Sequence, residues 1–149
     1  MIPIIYETIL VLAQASLAIV VGWVIGAERK YRDKDAGGSR TLALLCLGAT
    51  FLTLISLELN TKYNFDFVRL MAYLLPAVGF IGAGVINKNK DTVDGLTTSS
   101  TLLLIIPIGF AIGLGYYAHV IIVTGLTWVV LESKYWTLRR KRCRKNRKR

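Results

Sequence analysis

Five consecutive hydroxyl side chains, Thr97, Thr98, Ser99, Ser100 and Thr101, open an apolar run just after Asp94 and Gly95. Upstream, GFIGAG at residues 79–84 places three glycines within six positions at the end of another apolar run. Acids and bases stand beside each other at two further run ends, Glu28 with Arg29 and Asp66 near Arg69. Such groups can ligate a cation, hold an anion or hydrogen-bond across helices. They do not assemble into a catalytic set. His119 is the single histidine, and Cys46 and Cys143 lack the paired spacing of a metal or redox motif. GFIGAG lies inside an apolar run rather than after a strand, so it is no nucleotide-binding loop. The sequence therefore points away from enzyme chemistry and implies no cofactor, and it leaves open whether a metal is bound.

The elements that carry these residues follow from composition. The 149-residue chain is 54% hydrophobic yet has a formal net charge of +10, and its mean hydropathy is +0.50. That combination requires apolar and charged residues to be segregated along the chain. Charge collects in 28–40 and in 134–149, and nearly everything else is apolar. Crossing roughly 30 Å of hydrocarbon takes about 20 helical residues. Spans are read near Ile2–Ala27, Thr41–Leu59, Phe67–Ile86, Leu96–Ile112 and Tyr116–Trp136. This predicts an all-α, polytopic transmembrane bundle of about five spans over residues 1–136, followed by a basic tail at 137–149. The first span is too long, and lacks the basic start and small-residue cleavage site, for a signal peptide. Gly113–Gly115 reads as a tight turn that makes the last two spans a helical hairpin.

Charge sets the expected orientation in the plasma (inner) membrane. The first connection holds Arg29, Lys30, Arg32, Lys34 and Arg40, and the tail holds Lys134 and nine further Lys or Arg residues between 139 and 149. Lys and Arg stay on the cytoplasmic side. Both segments are then inside, which demands an even number of spans between them, and four are read. The N-terminus is expected outside and the tail in the cytoplasm.

In lipid, helices associate closely through small residues that let backbones touch. Gly22 and Gly26, Gly79 and Ala83, and Gly109 and Gly113 are each four apart and so share a helix face. Helix packing, within the chain or between copies, is the plain reading of these residues, with a ligand role as the sharper one. Asp94 stands where an N-cap would, ahead of the hydroxyl run. Capping accounts for Asp94 and one Thr; the remaining hydroxyls are expected to face a polar interior or to bond across helices. Pro76 and Pro107 each fall near mid-span and free the carbonyls of Ala72 and Leu103. Broken helices at matched depth can build a transport site, whereas simple kinks are frequent in membrane helices.

Ionisable groups at membrane depth cost at least a few kcal/mol each. Glu7, Gln14, Ala18, Gly22 and Arg29 share one helical stripe with Glu28 at its border, and Asp66, Arg69, Tyr73 and Pro76 share another. Asp66 and Arg69 are three apart and within reach of an ion pair. Either these groups sit at the interfaces with their long side chains in water, or Glu28, Arg40 and Arg69 join a buried network. The expectation here is an inward seam in which acids, bases and alcohols satisfy one another.

The order of motifs resembles the MgtC/SapB membrane-protein family. GAER at 26–29 and Gly-Ser-Arg-Thr at 38–41 look like its first signature; Asp66, Arg69, GFIGAGVI at 79–86 and VDGLTTSST at 93–101 look like the later ones. By this resemblance the family's motif positions fall on Gly26, Glu28, Arg29, Arg40, Thr41, Asp66, Arg69, Gly79, Gly82, Gly84, Gly95, Thr97 and Thr98. The resemblance implies a small polytopic inner-membrane protein associated with growth under low magnesium and, in some pathogens, with survival inside host phagocytes. It also implies a link to restraint of the F-type ATP synthase. Departures exist: the family's Asp-Pro-x-Arg is Asp66-Phe67-Val68-Arg69 here, its Trp after the hydroxyl run is Leu103, and the 29–40 stretch is one residue longer. Longer members carry a cytoplasmic C-terminal domain, in whose place this chain is expected to have only its basic tail.

Two functional classes remain. In the first, the chain is a regulatory or interaction protein tied to magnesium homeostasis and membrane energetics, acting as a homo-oligomer or on a larger partner such as the F-type ATP synthase. In the second, it is a small cation (Mg²⁺) or solute transporter with Glu28, Asp66 and the hydroxyls of Thr97–Thr101 along a polar path. Few interior acids make five helices a poor sole conduit for a strongly hydrated ion. The tail, WTLRRKRCRKNRKR, is expected to anchor topology and contact anionic lipid, at about 1 kcal/mol per charge near the surface. It has no aromatic interleaving to read nucleic acid, so none is expected as a partner.

Overall fold

The computed structural model describes residues 2–30, 38–63, 66–88 and 93–146, with side chains described in 5–28, 38–63, 66–88 (67 and 70 excepted) and 93–133. Apolar runs become helices α1 (Ile2–Lys30), α2 (Ser39–Tyr63), α3 (Phe67–Val85), α4 (Leu96–Gly113) and α5 (Tyr117–Asn146). Helix is the natural state of such runs because it satisfies every backbone group inside the segment. Helices α1, α2 and α4 are each long and apolar enough to cross a membrane, and Met71–Val85 and Tyr117–Ser133 are shorter apolar helical stretches. The fold is thus the expected all-α membrane bundle. A feature absent from the sequence reading lies between α3 and α4. There β1 (Asn87–Lys88) and β2 (Val93–Asp94) form a minimal antiparallel ladder, Asn87 opposite Asp94 and Lys88 opposite Val93.

Contacts fix the directions of the helices. Gly22 of α1 meets Ala43 and Gly26 meets Ser39, so α1 and α2 are antiparallel. Gly109 of α4 meets Ala49 while Gly113 meets Thr53, so α4 runs alongside α2 in the same sense. Gly82 of α3 faces Ser99, and the 97–104 stretch of α4 shares a cleft with 123–131 of α5, so both neighbours run against α4. Hence α1, α3 and α5 point one way, and α2 and α4 the other. Glu28, Ser39, the small hairpin, Thr97 and the basic end of α5 all lie at one end of the bundle. The connection after α1 and the C-terminal end of α5 thus lie at the same end of the bundle. The turn read at Gly113–Gly115 is present: Gly115 has φ +79°, and the Tyr116 amide donates to the Ala111 carbonyl at 2.8 Å. The α4–α5 hairpin therefore closes in the manner of a helix C-cap, with a left-handed glycine ending the last turn.

The core centres on α4, the most buried of the three long apolar helices. Its Leu102, Ile105, Ile106 and Ile112 pack with Ile25 of α1, Leu42 of α2 and Val78 of α3. A helix apolar on every side belongs in the middle of a bundle. By contrast α3 and α5 each show one flank to the surroundings.

Candidate functional site

The hydroxyl run splits by face. Thr98 and Thr101 are buried, Ser99 is half-buried, and Thr97 and Ser100 are exposed. Two of these hydroxyls turn back onto their own helix, Thr101 donating to the Thr97 carbonyl at 2.7 Å and Ser100 to that of Leu96 at 3.0 Å. Such back-bonding satisfies a hydroxyl at hydrocarbon depth without a partner helix. Ser99 faces α3, where a Cβ on buried Gly82 would lie 2.6 Å from its Oγ. The cap of α4 differs from expectation. Asp94 is exposed and lies in β2, and the N-cap is Gly95, with φ +85° and no side-chain capping bond. A Cβ at Gly95 would stand 2.1 Å from the Val85 carbonyl oxygen, so both the left-handed backbone and the crowding require glycine.

A second polar column, which sequence reasoning missed, runs down α2: Thr50, Thr53 and Ser56 are fully buried. Thr53 and Ser56 bond back to the Ala49 and Leu52 carbonyls. Thr50 alone reaches across, donating to the Cys46 carbonyl and to that of Gly109 on α4, both at 2.9 Å. Its proximity to α4 depends on Gly109, whose added Cβ would come within 2.7 Å of both the Ala49 Cβ and the Cys46 carbonyl oxygen. Ser39, Ala43, Cys46, Ala49, Thr50 and Thr53 recur at three- and four-residue spacing. That spacing was the available signal, and the interspersed Leu residues concealed it. Replacing Thr50 with Val keeps the shape and removes the shared donor. Thermal unfolding in detergent is expected to show a loss of about 0.6 kcal/mol and no more than ~1.7, the range of interhelical hydrogen bonds in membrane bundles.

Gln14, placed by the helical wheel on an inward stripe with Ala18 and Gly22, is buried as all three are. Its Nε2 donates to the Ile112 carbonyl at 3.1 Å and the Gly113 carbonyl at 3.5 Å. Those are carbonyls of the last turn of α4, which lack intrahelical donors. Glu7 on the same stripe is exposed.

The ionisable residues do not share one seam. Glu28 is half-buried at the end that holds Thr97 and the small hairpin, with Arg40 and Thr41 exposed nearby on the first turn of α2. The side chain of Arg29, the basic connection at 31–37 and the tail's side chains from Lys134 onward lie outside the described residues. Asp66 starts α3 at the opposite end of the bundle, far from Glu28 along the helix direction. Nor does it pair with Arg69: its Oδ1 accepts from the Val68 and Arg69 amides at 3.2 and 3.3 Å, an N-cap bond. Pro76 and Pro107 both sit at exposed positions, and α3 and α4 run through them without interruption. The carbonyls they free therefore do not open a break inside the bundle.

The three small-residue faces have different fates. Gly22–Gly26 and Gly109–Gly113 are consumed against α2, as above. Gly79–Ala83 is not: a Cβ on Gly79 or Gly84 would meet nothing within 4 Å, Ala83 is exposed, and Phe80 beside them is 84% exposed. The same flank of α3 carries Arg69, Tyr73 and Pro76, all exposed.

With the geometry in place, comparison with known sequences is decisive for kinship. The sequence model of the MgtC family matches residues 16–140, from α1 into the basic stretch of α5. The chain belongs to the MgtC family. This MgtC-family chain is 32% identical over 139 residues to Protein SapB of Bacillus subtilis, covering 87% of itself and 59% of that protein. It is 36% identical over 107 residues to Protein MgtC of Salmonella typhimurium, covering 72% of itself and 45% of that protein. A protein of Haemophilus influenzae is 31% identical over 134 residues, 85% of this chain and 56% of its own length. The chain thus spans about half the length of the curated relatives it matches. No solved structure matches it. Every motif residue from Gly26 to Thr101 falls within the stretch that the family model covers.

Proposed function

We propose that this MgtC-family chain is a regulatory membrane protein that acts by helix-to-helix contact with a larger membrane protein rather than by carrying a solute. The observation that supports this reading is the open flank of α3. Two small-residue faces of identical spacing are closed by α2, while Gly79–Ala83 is left with room for a backbone to approach. In lipid that is the feature that attracts another helix. Arg69, which makes no side-chain hydrogen bond or ion pair among the described residues, gives the flank a cationic end. The fitting occupant is a transmembrane helix with small residues at its crossing point and an acid or amide near Arg69. Arg and Lys at 28–40 and 134–149 support placing Glu28, Thr97 and the tail on the cytoplasmic side, with Asp66 and Arg69 outside. The family resemblance supports a setting of magnesium limitation and membrane energetics, with the F-type ATP synthase as the partner to test first.

The transport reading draws less support. The buried hydroxyls of Thr50, Thr53, Ser56 and Thr101 are committed to helix carbonyls, and Asp66 and Glu28 stand at opposite ends. Two experiments separate the readings. Cross-linking in native membranes is expected to recover a larger partner, lost on Gly79→Leu while the variant's own thermal stability is not lowered. Recovery of self-dimers alone would sink the proposal. Liposomes holding only this chain are expected to show no Glu28-dependent Mg²⁺ flux; robust flux abolished by Glu28→Ala would establish transport instead.

A further inference from the structure

We infer that the bundle has two hydrophobic lengths, and that it holds beside α3 and α5 a hydrocarbon layer roughly 8–10 Å thinner than the one beside α1 and α2. Contacts give the level of each helix. Near one end Gly26 meets Ser39, and Gly82 faces Ser99 at the start of α4. Near the other, Gly113 meets Thr53 and its carbonyl accepts from Gln14, so these three residues are level. There α4 ends, and after a tight turn α5 starts at Tyr117. Arg69 stands thirteen residues before Gly82, as Gly113 stands fourteen after Ser99, so α3 also begins within about one turn of that level. Neither α1 nor α2 stops there. The span of α1 continues over 5–13 and α2 over 54–63, roughly 13–15 Å of further helix. Apolar lengths show the same inequality: 24 and 25 residues for α1 and α2, 18 for α4, and shorter stretches still for α3 and α5.

The two sides also differ in kind at the level of Gly113. On the long side, Ile9 and Leu12 of the α1 extension are more than half exposed. Glu7 lies about 10 Å beyond Gln14, and Glu58, paired with Lys62, about 7.5 Å beyond Thr53. On the short side, Asp66, Arg69, Tyr116, Tyr117 and His119 are all exposed at or near the Gly113 level. A flat membrane surface fails on one side or the other. Drawn through Glu7 and Glu58, it buries Asp66 and Arg69 in hydrocarbon; drawn through Asp66 and Arg69, it leaves the apolar extension in water. The opposite end of the bundle is flat. Its exposed interfacial tryptophans, Trp23 of α1 and Trp128 of α5, lie nine residues from Gln14 and eleven from Tyr117, level within about one turn. Tilting the whole bundle therefore levels one end only by unlevelling the other. A span shorter than its surroundings is accommodated by thinning of the bilayer, here in the leaflet that holds the α4–α5 turn. The inference rests on helix lengths and is independent of sidedness and of what binds the α3 flank.

Two measurements on the full chain in vesicles test it. The first uses single nitroxide labels on Ile9→Cys and Tyr117→Cys, with Cys143→Ser and the buried Cys46 retained, in dioleoyl phosphatidylcholine. Along the helix axes position 9 is about 7.5 Å farther out than position 117, so a flat membrane makes it the wetter of the two. The inference expects the reverse order: position 117 accessible to a water-soluble nickel chelate, and position 9 accessible chiefly to oxygen dissolved in hydrocarbon. Leu12→Cys, also on the exposed extension, serves if Ile9→Cys folds poorly. A label on the α1 extension as wet as one at 117 would overturn the inference. The second measurement asks whether lipid, rather than a water-filled recess, lies against the short side. Brominated dioleoyl phosphatidylcholine quenches one tryptophan at a time, Trp128 in Trp23→Phe/Trp136→Phe and Trp23 in Trp128→Phe/Trp136→Phe, and dimyristoleoyl phosphatidylcholine competes. The shorter lipid should displace the longer several-fold more readily at Trp128 than at Trp23. Equal displacement at both would overturn the inference, because a recess filled by water does not select lipid by length.

Discussion

Gly22→Leu and Gly109→Leu each lower the stability of the folded bundle by about 3 kcal/mol or more, while Gly79→Leu and Gly84→Leu do not lower it and raise it by at most about 0.8 kcal/mol. The chemical change is the same in all four. What differs is what the new Cβ meets. At Gly22 it would stand 2.6 Å from the Ala43 Cα and 2.7 Å from the Leu42 carbonyl oxygen, and at Gly109 it would stand 2.7 Å from the Cys46 carbonyl oxygen. These are backbone atoms of α2, which cannot rotate away as a side chain can. The helices must separate, and contacts along their whole length suffer, because a bundle in lipid is held by close packing rather than by expulsion of water. Overpacking usually costs about 1–3 kcal/mol, and contact with a rigid backbone belongs at the upper end. At Gly79 and Gly84 nothing lies within 4 Å. There the better helix propensity of Leu, worth roughly 0.8 kcal/mol over Gly, even works in favour of the variant. Thermal denaturation of the four variants in one detergent checks the ordering. Equal losses at all four positions would mean that the α3 flank is closed as tightly as the α1–α2 and α2–α4 contacts.

That contrast also marks how far the sequence is legible. Small residues four apart announce that a face is built for close approach, because the signal is local to one helix. Which face finds a partner inside the chain is not local. It depends on a complementary row on α2, where Ser39, Ala43, Cys46 and Thr53 are spread through a Leu-rich run and look unremarkable alone. The charge of the first connection and the tail was enough to set the parity of the helices, since like ends must return to one side. Gln14 was placed on an inward stripe by periodicity, yet its partners on α4, nearly a hundred positions away, carry no mark in their residue types, being carbonyls. Asp94 illustrates the opposite error. Its position before a helix fits a cap, but the N-cap is Gly95, whose left-handed backbone packs against the Val85 carbonyl with no room for a Cβ, and Asp94 pairs with Asn87 in the ladder. Asp66 and Arg69 show that spacing permits two interactions. The carboxylate takes the nearer one, the amides at the start of α3, as an N-cap preference for Asp would favour. The small hairpin had no legible pattern, because two-residue strands are too short to alternate.

Gln14→Leu is expected to cost about 1–3 kcal/mol, the penalty for leaving a buried acceptor without its donor. The side chain is 8% exposed, and its amide is what α1 offers to the end of α4. The Ile112 carbonyl keeps a second donor, the Gly115 amide at 3.0 Å, so it is the Gly113 carbonyl that loses most. That carbonyl belongs to the last helical turn, where no following amide completes the ladder, and it faces protein rather than water. Leu matches Gln in bulk, so the loss reports the hydrogen bonds and not a cavity. Ser16→Ala is the control. Ser16 is exposed on the same helix and donates only to its own Leu12 carbonyl at 2.8 Å, so its removal should change stability by less than about 0.5 kcal/mol. Hydrogen exchange of the amides from Gly113 to Tyr117 gives a local readout. In Gln14→Leu the turn joining α4 and α5 should open more readily than in the wild type, with protection in the middle of α2 less affected. If the turn exchanges as slowly as before and the unfolding midpoint is unmoved, then Gln14 does not hold the end of α4, and the link between α1 and the α4–α5 hairpin rests on apolar contact alone.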